Sequence, residues 1–287
     1  MDVMEDKIQP HQYIKFKKEG IKIVMVTAYD SIQARIADGV GVHGILVGDS
    51  LGMVIMGYSS TLPVTLNDIL HHLKAVLSVR PKPLVVADMP FLSYEVSRAE
   101  AVRNAGRLVK AGADAVKVEG GVDIVDKVEA MVKAGIPVMG HIGLNPQRYL
   151  ILGGYKLRGK RAEDALLVYE DAKALEEVGV FSIVIEFTAA DVAKHITDSV
   201  SVPTICIGSG PYCDGQILVF HDIVGLNPSP PLFVKKYANV YEVMVNALMG
   251  FKDDVQKGLY PTPQHYKLMK DSEYDKFVKM IKKRQGN

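Results

Sequence analysis

Eight short apolar runs, rich in valine and isoleucine, limit most strongly what this chain can fold into. Their apolar residues are continuous rather than alternating with polar ones, which is typical of strands covered on both faces in a parallel sheet. The runs are Ile23–Tyr29, Gly44–Gly48, Leu84–Ala87, Ala115–Val118, Pro137–Gly140, Ser182–Ile185, Thr204–Ile207 and Ile217–Phe220. Helical patterns lie between most of them, so strand and helix alternate. Eight such units predict a closed (β/α)₈ barrel, a TIM barrel, rather than an open sheet.

Local signals support this alternation of strands and helices. Thr65 with Asp68, and Ser97 with Glu100, fit capping boxes, in which a hydroxyl and a carboxylate three residues later satisfy the first N–H groups of a helix. Three helical patterns then end at a glycine, which tolerates the left-handed conformation that follows a helix: Gly112, Gly135 and Gly179.

One crossover is too short for the pattern. About six residues separate the segment 204–210 from Ile217, fewer than an ordinary crossover helix needs. Two interpretations remain. In the favoured one the seventh helix is vestigial, and in the other residues 215–221 form that helix and the last strand lies later.

We expect one domain over residues 1–287, because an apolar fraction of 48% at this length is ample for one core. Within it, residues 1–20 should supply an N-terminal helix that caps the barrel, with residues 8–19 plugging its floor. A helical pattern at about 237–258 is interpreted as the last barrel helix. A second, at about 268–284, belongs to a C-terminal helical appendage covering about residues 260–287.

Charge and composition exclude several classes of function. The formal net charge is +1, from 34 basic and 33 acidic residues, so no overall field indicates binding to nucleic acid or to a membrane surface. The N-terminus does not resemble a signal peptide. No apolar run approaches the length of roughly 20 residues that a membrane span needs. We therefore expect a cytoplasmic protein in which Cys206 and Cys213 are reduced thiols.

One apparent cofactor motif is a decoy. Gly39-Val-Gly-Val-His-Gly44 matches the G-x-G-x-x-G dinucleotide fingerprint, which must follow a strand and open a helix. Here it follows a helical pattern and precedes a strand. We interpret it as a connection between helix and strand.

Carboxylates follow four of the predicted strands: Asp49, Asp88, Glu119 and Glu186. The carboxyl ends of barrel strands meet at one rim, where such enzymes keep their active sites. A single aspartate after a strand is often only a helix N-cap, and Asp30 fits that description. Four carboxylates on one rim, however, would repel each other without a cation. Oxygen ligands with no cysteine and at most one histidine favour Mg²⁺ over Zn²⁺.

Lys117 and His141 add hydrogen-bond donors to the same rim. The alternatives stay open: Lys117 could extend its amine to solvent, and His141 could be an ordinary core histidine with satisfied hydrogen bonds. The other histidines, among them His221, carry no functional expectation.

The strand ends together closely resemble the ketopantoate hydroxymethyltransferase family, which makes a precursor of pantothenate and coenzyme A. The resemblance runs in order from about residue 7 to residue 262. It rests on Thr27-Ala-Tyr-Asp30, Gly48-Asp-Ser-Leu-Gly52, Ala87-Asp-Met-Pro-Phe91, Lys117-Val-Glu-Gly-Gly121, Gly140-His-Ile-Gly-Leu144, Glu186 and Cys213-Asp-Gly-Gln216.

The resemblance implies a barrel of the phosphoenolpyruvate-utilising superfamily, in a homo-oligomer that is often a decamer. It implies Mg²⁺, 3-methyl-2-oxobutanoate as the substrate and 5,10-methylenetetrahydrofolate as the one-carbon donor. It also implies roles for individual residues. Asp49 and Asp88 would bind the metal and, through it, the substrate; Glu119 would act in or near the coordination shell, through water; Ser50 and Lys117 would bind the keto acid; Glu186 would be the base; and His141 is a possible further site residue.

Two other functions compete with this one. The first is a Mg²⁺-dependent carbon–carbon lyase of the same superfamily acting on an oxaloacetate-like acid. Many such lyases carry a cysteine in a lid loop, and none is evident here. The second is a non-catalytic barrel that binds a keto acid, against which the base at Glu186 argues.

Overall fold

The computed structural model describes residues 6–286 and shows a closed barrel of parallel strands in the order of the chain, β1 to β8. The strands are β1 Ile23–Thr27, β2 Gly44–Val47, β3 Leu84–Asp88, β4 Ala115–Glu119, β5 Val138–Gly143, β6 Ser182–Glu186, β7 Thr204–Ile207 and β8 Gly215–Leu218. Each predicted run contains or overlaps one of them. The prediction of a (β/α)₈ barrel is confirmed.

Helices alternate with the strands for most of the chain. They are α1 Pro10–Glu19, α2 Ser31–Val40, α3 Leu51–Val54, α4 Leu66–Leu77, α5 Arg98–Lys110, α6 Val125–Lys133, α7 Tyr149–Leu152, α8 Ala162–Glu177, α9 Ala190–Ser199, α10 Phe220–Ile223, α11 Val240–Gln256 and α12 Asp271–Gln285. Short 3₁₀ turns occur at Val122–Ile124, Pro146–Arg148 and Pro263–His265.

The capping signals act as predicted in α4 and partly in α5. The Thr65 hydroxyl and the Asp68 carboxylate satisfy each other's backbone N–H groups, which is a complete capping box. The Ser97 side chain accepts from the Glu100 N–H, without the reciprocal bond. Asp30 is the N-cap of α2, where it accepts from the Gln33 N–H at 2.8 Å. These caps fix where each helix leaves the rim.

Helix α1 closes the amino-terminal end of the barrel. Its Tyr13 and Phe16 are buried in a cluster with inward-facing residues of the strands, including Met25 and Leu84. Gly44, the first residue of β2, makes this possible, because a Cβ there would lie 2.2 Å from the Tyr13 hydroxyl. The floor of the barrel is therefore filled by aromatic side chains.

The connection from β7 to β8 contains no helix, which agrees with the favoured interpretation. Ile207 ends β7 and Gly215 begins β8. A disulfide between Cys206 and Cys213 spans this connection. The expectation of reduced thiols is wrong. The chain reverses here, so that the Cα atoms of the two cysteines are 5.7 Å apart at a sequence separation of 7. That Cα distance is within the usual range for a disulfide.

The chain forms two compact units, Met1–Ala238 and Asn239–Asn287. The first contains all eight strands, and the second contains α11 and α12. The helix expected at about 237–258 is present, but it groups with the second unit and not with the barrel. Phe251 and Tyr260 pack together there, with ring centroids 5.5 Å apart. Among residues 6–286, no helix is both long enough and apolar enough to cross a membrane.

Candidate active site

All the residues that the sequence singled out at the rim line one cavity of about 730 Å³. They are Asp49, Ser50, Asp88, Lys117, Glu119, His141 and Glu186. Strand register explains why they meet. Lys117 and Glu119 are two residues apart on β4, so their side chains point in the same direction. On the neighbouring strands, Lys117 pairs with Asp88 and Glu119 pairs with His141. The barrel therefore brings together residues that are far apart in the chain.

Lys117 is the central cation of the site. Its Nζ lies 2.8 Å from Oδ1 of Asp88 and 3.5 Å from Oε1 of Glu119. It also lies 3.2 Å from Nδ1 of His141. The lysine side chain is only 4% exposed, so the alternative in which Lys117 extends its amine to solvent is wrong.

Gln147 joins two of the carboxylates. Its Nε2 donates to Oδ2 of Asp49 at 2.9 Å, and its backbone N–H donates to Oε2 of Glu119 at 3.0 Å. The hydroxyl of buried Tyr94 lies 2.9 Å from the Gln147 Oε1. The sequence analysis missed both residues, because no local pattern marks a contact across 98 positions.

Glu186 lies at the end of β6 and faces His141. Nε2 of His141 is 3.1 Å from Oε2 of Glu186, a charged contact and not a well-aligned hydrogen bond. The Glu186 side chain is 16% exposed, more than the other charged groups of the site. It is therefore the carboxylate most open to a molecule in the cavity.

Ser50 occupies another part of the cavity wall. Its hydroxyl is 2.8 Å from that of Tyr29, a buried residue that follows β1. Tyr29 lies inside a segment quoted for its resemblance, but no local pattern indicated this contact.

The charges of the site shift several pKa values. Burial, followed by the nearby carboxylates Asp88 and Glu119, raises the pKa of Asp49 well above its usual value. Burial also raises the pKa of Asp88, and Lys117 offsets this only in part. Burial opposes the charge of Lys117, but the three carboxylates around it outweigh burial and raise its pKa. The cluster is therefore rich in buried acidic groups, and a bound cation would reduce the repulsion between them.

Glu119 and His141 shift in opposite senses. Burial would raise the pKa of Glu119, but Lys117 and His141 outweigh burial and lower it to about 2. Burial and Lys117 would lower the pKa of His141, but Glu119 and Glu186 raise it to about 9. Glu119 is thus held as an anion by its neighbours.

The residues fit a divalent ion such as Mg²⁺, which usually takes one or two protein carboxylates and completes its shell with water and substrate oxygens. Asp49 and Asp88 are adjacent, since the Asp49 N–H donates to Oδ2 of Asp88 at 3.0 Å. Oδ1 of Asp88 is buried, and its partner is the Lys117 ammonium group at 2.8 Å. Within residues 6–286, no three acidic, histidine or cysteine side chains already stand in a ligand cluster. Glu119 is engaged by Lys117 and Gln147, which suits a role through water.

Several solved structures share this fold. Phosphonopyruvate hydrolase, solved with oxalate and Mg²⁺, matches over 98% of this chain and 100% of its own, at a TM-score of 0.59 and 14% identity. A phosphoenolpyruvate phosphomutase from Streptomyces platensis has a TM-score of 0.60, over 97% of this chain and 98% of its own, at 14% identity. A 2,3-dimethylmalate lyase of the PEP mutase/isocitrate lyase superfamily has a TM-score of 0.53 at 15% identity, over 98% of this chain and 99% of its own. The chain thus has the barrel fold of that superfamily.

Comparison with related sequences identifies the family. The profile of the ketopantoate hydroxymethyltransferase family matches residues 7–263. Proteins named 3-methyl-2-oxobutanoate hydroxymethyltransferase are 58% identical in Ignicoccus hospitalis, over 91% of this chain and 99% of the relative, and 52% identical in Hyperthermus butylicus, over 98% of both. One from Caldivirga maquilingensis is 54% identical, over 92% of this chain and all of the relative. The chain belongs to the ketopantoate hydroxymethyltransferase family, and it is a group-transfer enzyme.

Proposed function

We propose that the protein transfers a hydroxymethyl group from 5,10-methylenetetrahydrofolate to 3-methyl-2-oxobutanoate, giving 2-dehydropantoate for pantothenate and coenzyme A synthesis. One observation carries this proposal beyond family membership. A partly exposed carboxylate, Glu186, lines the same cavity as the buried group of Asp49, Asp88 and Lys117. That is the arrangement needed to bind an anionic keto acid and remove a proton beside its carbonyl group. The lyase and the keto-acid-binding barrel have no comparable support.

Asp49 and Asp88 would hold Mg²⁺, with Glu119 acting through water. When bound, the ion supplies Lewis-acid stabilisation of the negative charge that develops on the keto oxygen. The Mg²⁺ named with phosphonopyruvate hydrolase, which shares the fold, is consistent with this.

The chain's own residues divide the remaining work. Lys117 places positive charge beside the carboxylate and the keto oxygen of the substrate. Ser50 donates a hydrogen bond to the same keto acid. Glu186 accepts the proton from C3, and His141 orients the Glu186 carboxylate from behind at 3.1 Å. C3 then forms the new carbon–carbon bond with the methylene carbon of the donor. Water provides the hydroxyl oxygen as tetrahydrofolate leaves.

We also propose that the protein acts as a homo-oligomer, with the decamer that the family resemblance implies as the form to test. Helix α11 has no buried residue, and its apolar side chains are exposed, with Leu248 67% and Val243 66% accessible. Apolar surface of this extent is usually covered by another protein surface. The cytoplasmic location expected from the sequence remains a prediction.

The test is proton NMR of 3-methyl-2-oxobutanoate in D₂O with the purified protein and Mg²⁺, first without and then with methylenetetrahydrofolate. We expect the C3 proton signal to disappear without the donor, and 2-dehydropantoate to form once the donor is added. Exchange without product would reject the folate donor. No exchange would reject the keto acid as the substrate.

A further inference from the structure

Asp222 is a buried carboxylate in the cavity that the mechanism does not use. It lies in α10, directly after β8, and is only 4% exposed. Its Oδ1 accepts one hydrogen bond, from Nδ2 of Asn227 at 2.8 Å. Among residues 6–286, no lysine, arginine or histidine forms an ion pair with it, and no other hydrogen bond reaches its carboxylate oxygens. Burying a carboxylate in this way is costly unless a ligand compensates for it.

Asp222 lies beside His221 in a segment that is held against β1. The N–H of Phe220 donates to the Thr27 hydroxyl at 3.0 Å, which holds the start of α10 against the end of β1. Beside it, Nδ1 of His221 is buried without a hydrogen-bond partner. The His221 ring lies 5.6 Å from the Tyr29 ring, and both Asp222 and His221 line the cavity. Two polar groups with unused hydrogen-bonding capacity therefore line the cavity beside aromatic rings.

The keto acid does not suit this end of the cavity. It is an anion, and Asp222 would repel it. Burial raises the pKa of Asp222, and the hydrogen bond from Asn227 offsets this only in part. The ring of His221, the residue before Asp222, lies 5.6 Å from the Tyr29 ring, and the Tyr29 hydroxyl is 2.8 Å from that of Ser50. The region around Asp222 thus adjoins the keto-acid site but has the wrong charge for that substrate.

The cavity is also much larger than a five-carbon acid requires. Its volume of about 730 Å³ falls in the range that holds drug-sized ligands. The proposed one-carbon donor carries a bicyclic tetrahydropterin, whose flat pyrimidinone ring has a ring N–H next to an exocyclic amino group. These two parallel donors match the two oxygens of a carboxylate. An oxygen that already accepts from Asn227 keeps a second lone pair for such a bond.

We propose that Asp222 recognises the donor of the one-carbon unit, by accepting hydrogen bonds from the ring N–H and the 2-amino group of its pterin, with His221 at the edge of the same subsite. This inference rests on the proposed function. It assigns the donor to the β8 side of the cavity, and the keto acid to the side of Asp49, Asp88 and Lys117.

The test compares D222N with a matched variant, D30N. Asp30 is on the same rim, but it caps α2 and does not line the cavity. An amide at position 222 keeps one acceptor and presents N–H groups to the other donor of the pterin. We expect the KM for methylenetetrahydrofolate to rise about 10- to 100-fold in D222N, the range for a lost hydrogen bond to a charged group. The C3 proton exchange without donor should stay within about twofold, and D30N should change neither value.

A modified donor makes the test specific to the contact. We expect the wild-type protein to bind 2-desamino-2-methyltetrahydrofolate at least tenfold more weakly than tetrahydrofolate, measured by calorimetry, and D222N to bind the two about equally. If D222N keeps the wild-type preference, or an unchanged KM, the subsite is wrong while the proposed function stands. If the wild-type protein forms no product with the folate donor, the function and the subsite are both wrong. A thermal melt of each variant separates these results from loss of folding.

Discussion

His141 stands directly behind Glu186, with its Nε2 atom 3.1 Å from Oε2 of the carboxylate, and burial of the histidine ring fixes that approach. A contact from one side leaves the other carboxylate oxygen free to accept a proton from the cavity.

The first prediction concerns this pair. Glu186→Gln should lower the rate of C3 proton exchange by about 10²- to 10⁴-fold, the usual contribution of a general base, while the Kd of the keto acid changes little. His141→Asn should lower exchange less, because the base remains and only its orientation is lost. Exchange at the wild-type rate in E186Q would show that another group is the base. Exchange is followed by NMR, and Kd by calorimetry.

The second prediction concerns the metal. Asp88→Asn should weaken Mg²⁺ binding about 100-fold, measured by calorimetry without substrate, because a neutral amide replaces one of two adjacent carboxylates. D30N is the control, since Asp30 only caps a helix. An unchanged Kd in D88N would remove Asp88 from the metal site.

The third prediction concerns Gln147. Gln147→Met keeps the size of the side chain, but it leaves the carboxylate of Asp49 and the carbonyl of Met89 without their donor. Unsatisfied buried polar groups cost about 1–3 kcal/mol each, so we expect the free energy of unfolding to fall by about 2–4 kcal/mol. Tyr94→Phe removes a hydroxyl that contacts the backbone N–H and carbonyl of Glu119 and the Oε1 of Gln147, so it should lower the free energy of unfolding by a similar amount. A cost below about 1 kcal/mol for Gln147→Met would mean that the amide donors do not contribute.

The fourth prediction concerns pH and stability. Burial would raise the pKa of Glu176, but hydrogen bonds from Lys173 and Ser201 hold it below its usual value. A depressed folded-state pKa adds stability above the unfolded pKa, and this is lost as the pH falls. Glu176→Gln should therefore cost up to about 1 kcal/mol at pH 7, after allowing for solvent exposure, and nothing in strong acid.

Denaturant titrations of E176Q and the wild-type protein between pH 2.5 and 7 measure this difference. Glu177→Gln is the matched control, since Glu177 is exposed and is the next residue in the chain. A cost that stays constant with pH would show that Glu176 acts through packing and not through its charge.

The fifth prediction concerns the disulfide. The bond between Cys206 and Cys213 closes a loop with a sequence separation of 7. Closing such a loop restricts the unfolded chain, which corresponds to about 2–3 kcal/mol of stability. Treatment with a strong reductant under mild denaturation should lower the free energy of unfolding by that amount. Thiol titration of the denatured, unreduced protein should give no free cysteine from this pair. Two free thiols would mean that the pair is reduced in the purified protein.

Much of this architecture was readable from the sequence, because its cause is local. Continuous apolar runs become strands covered on both faces, and Thr65 and Asp68 cap a helix only three residues apart. The rim carboxylates were readable for the same reason, since the end of a strand is a local position. Their detailed geometry still depends on register, which pairs Asp88 with Lys117.

What the sequence missed depends on contacts between distant parts of the chain. Gln147 reaches Asp49 only after the barrel closes. The two cysteines approach because the chain turns back between β7 and β8, and counting residues does not reveal this. Asp222 carried no local signal, because a carboxylate without a charged partner is recognised only when its surroundings are known.

The side chains of Tyr13 and Phe16 close the amino-terminal end of the barrel, so the cavity opens only at the rim. Every reactant must enter and every product must leave through the rim, past the same few side chains. The carboxylates of Asp49 and Asp88 are buried, whereas Tyr155, another cavity residue, is 43% exposed. We therefore expect a compulsory order of events, in which the small keto acid enters before the bulky donor, and the spent donor leaves before the enlarged acid.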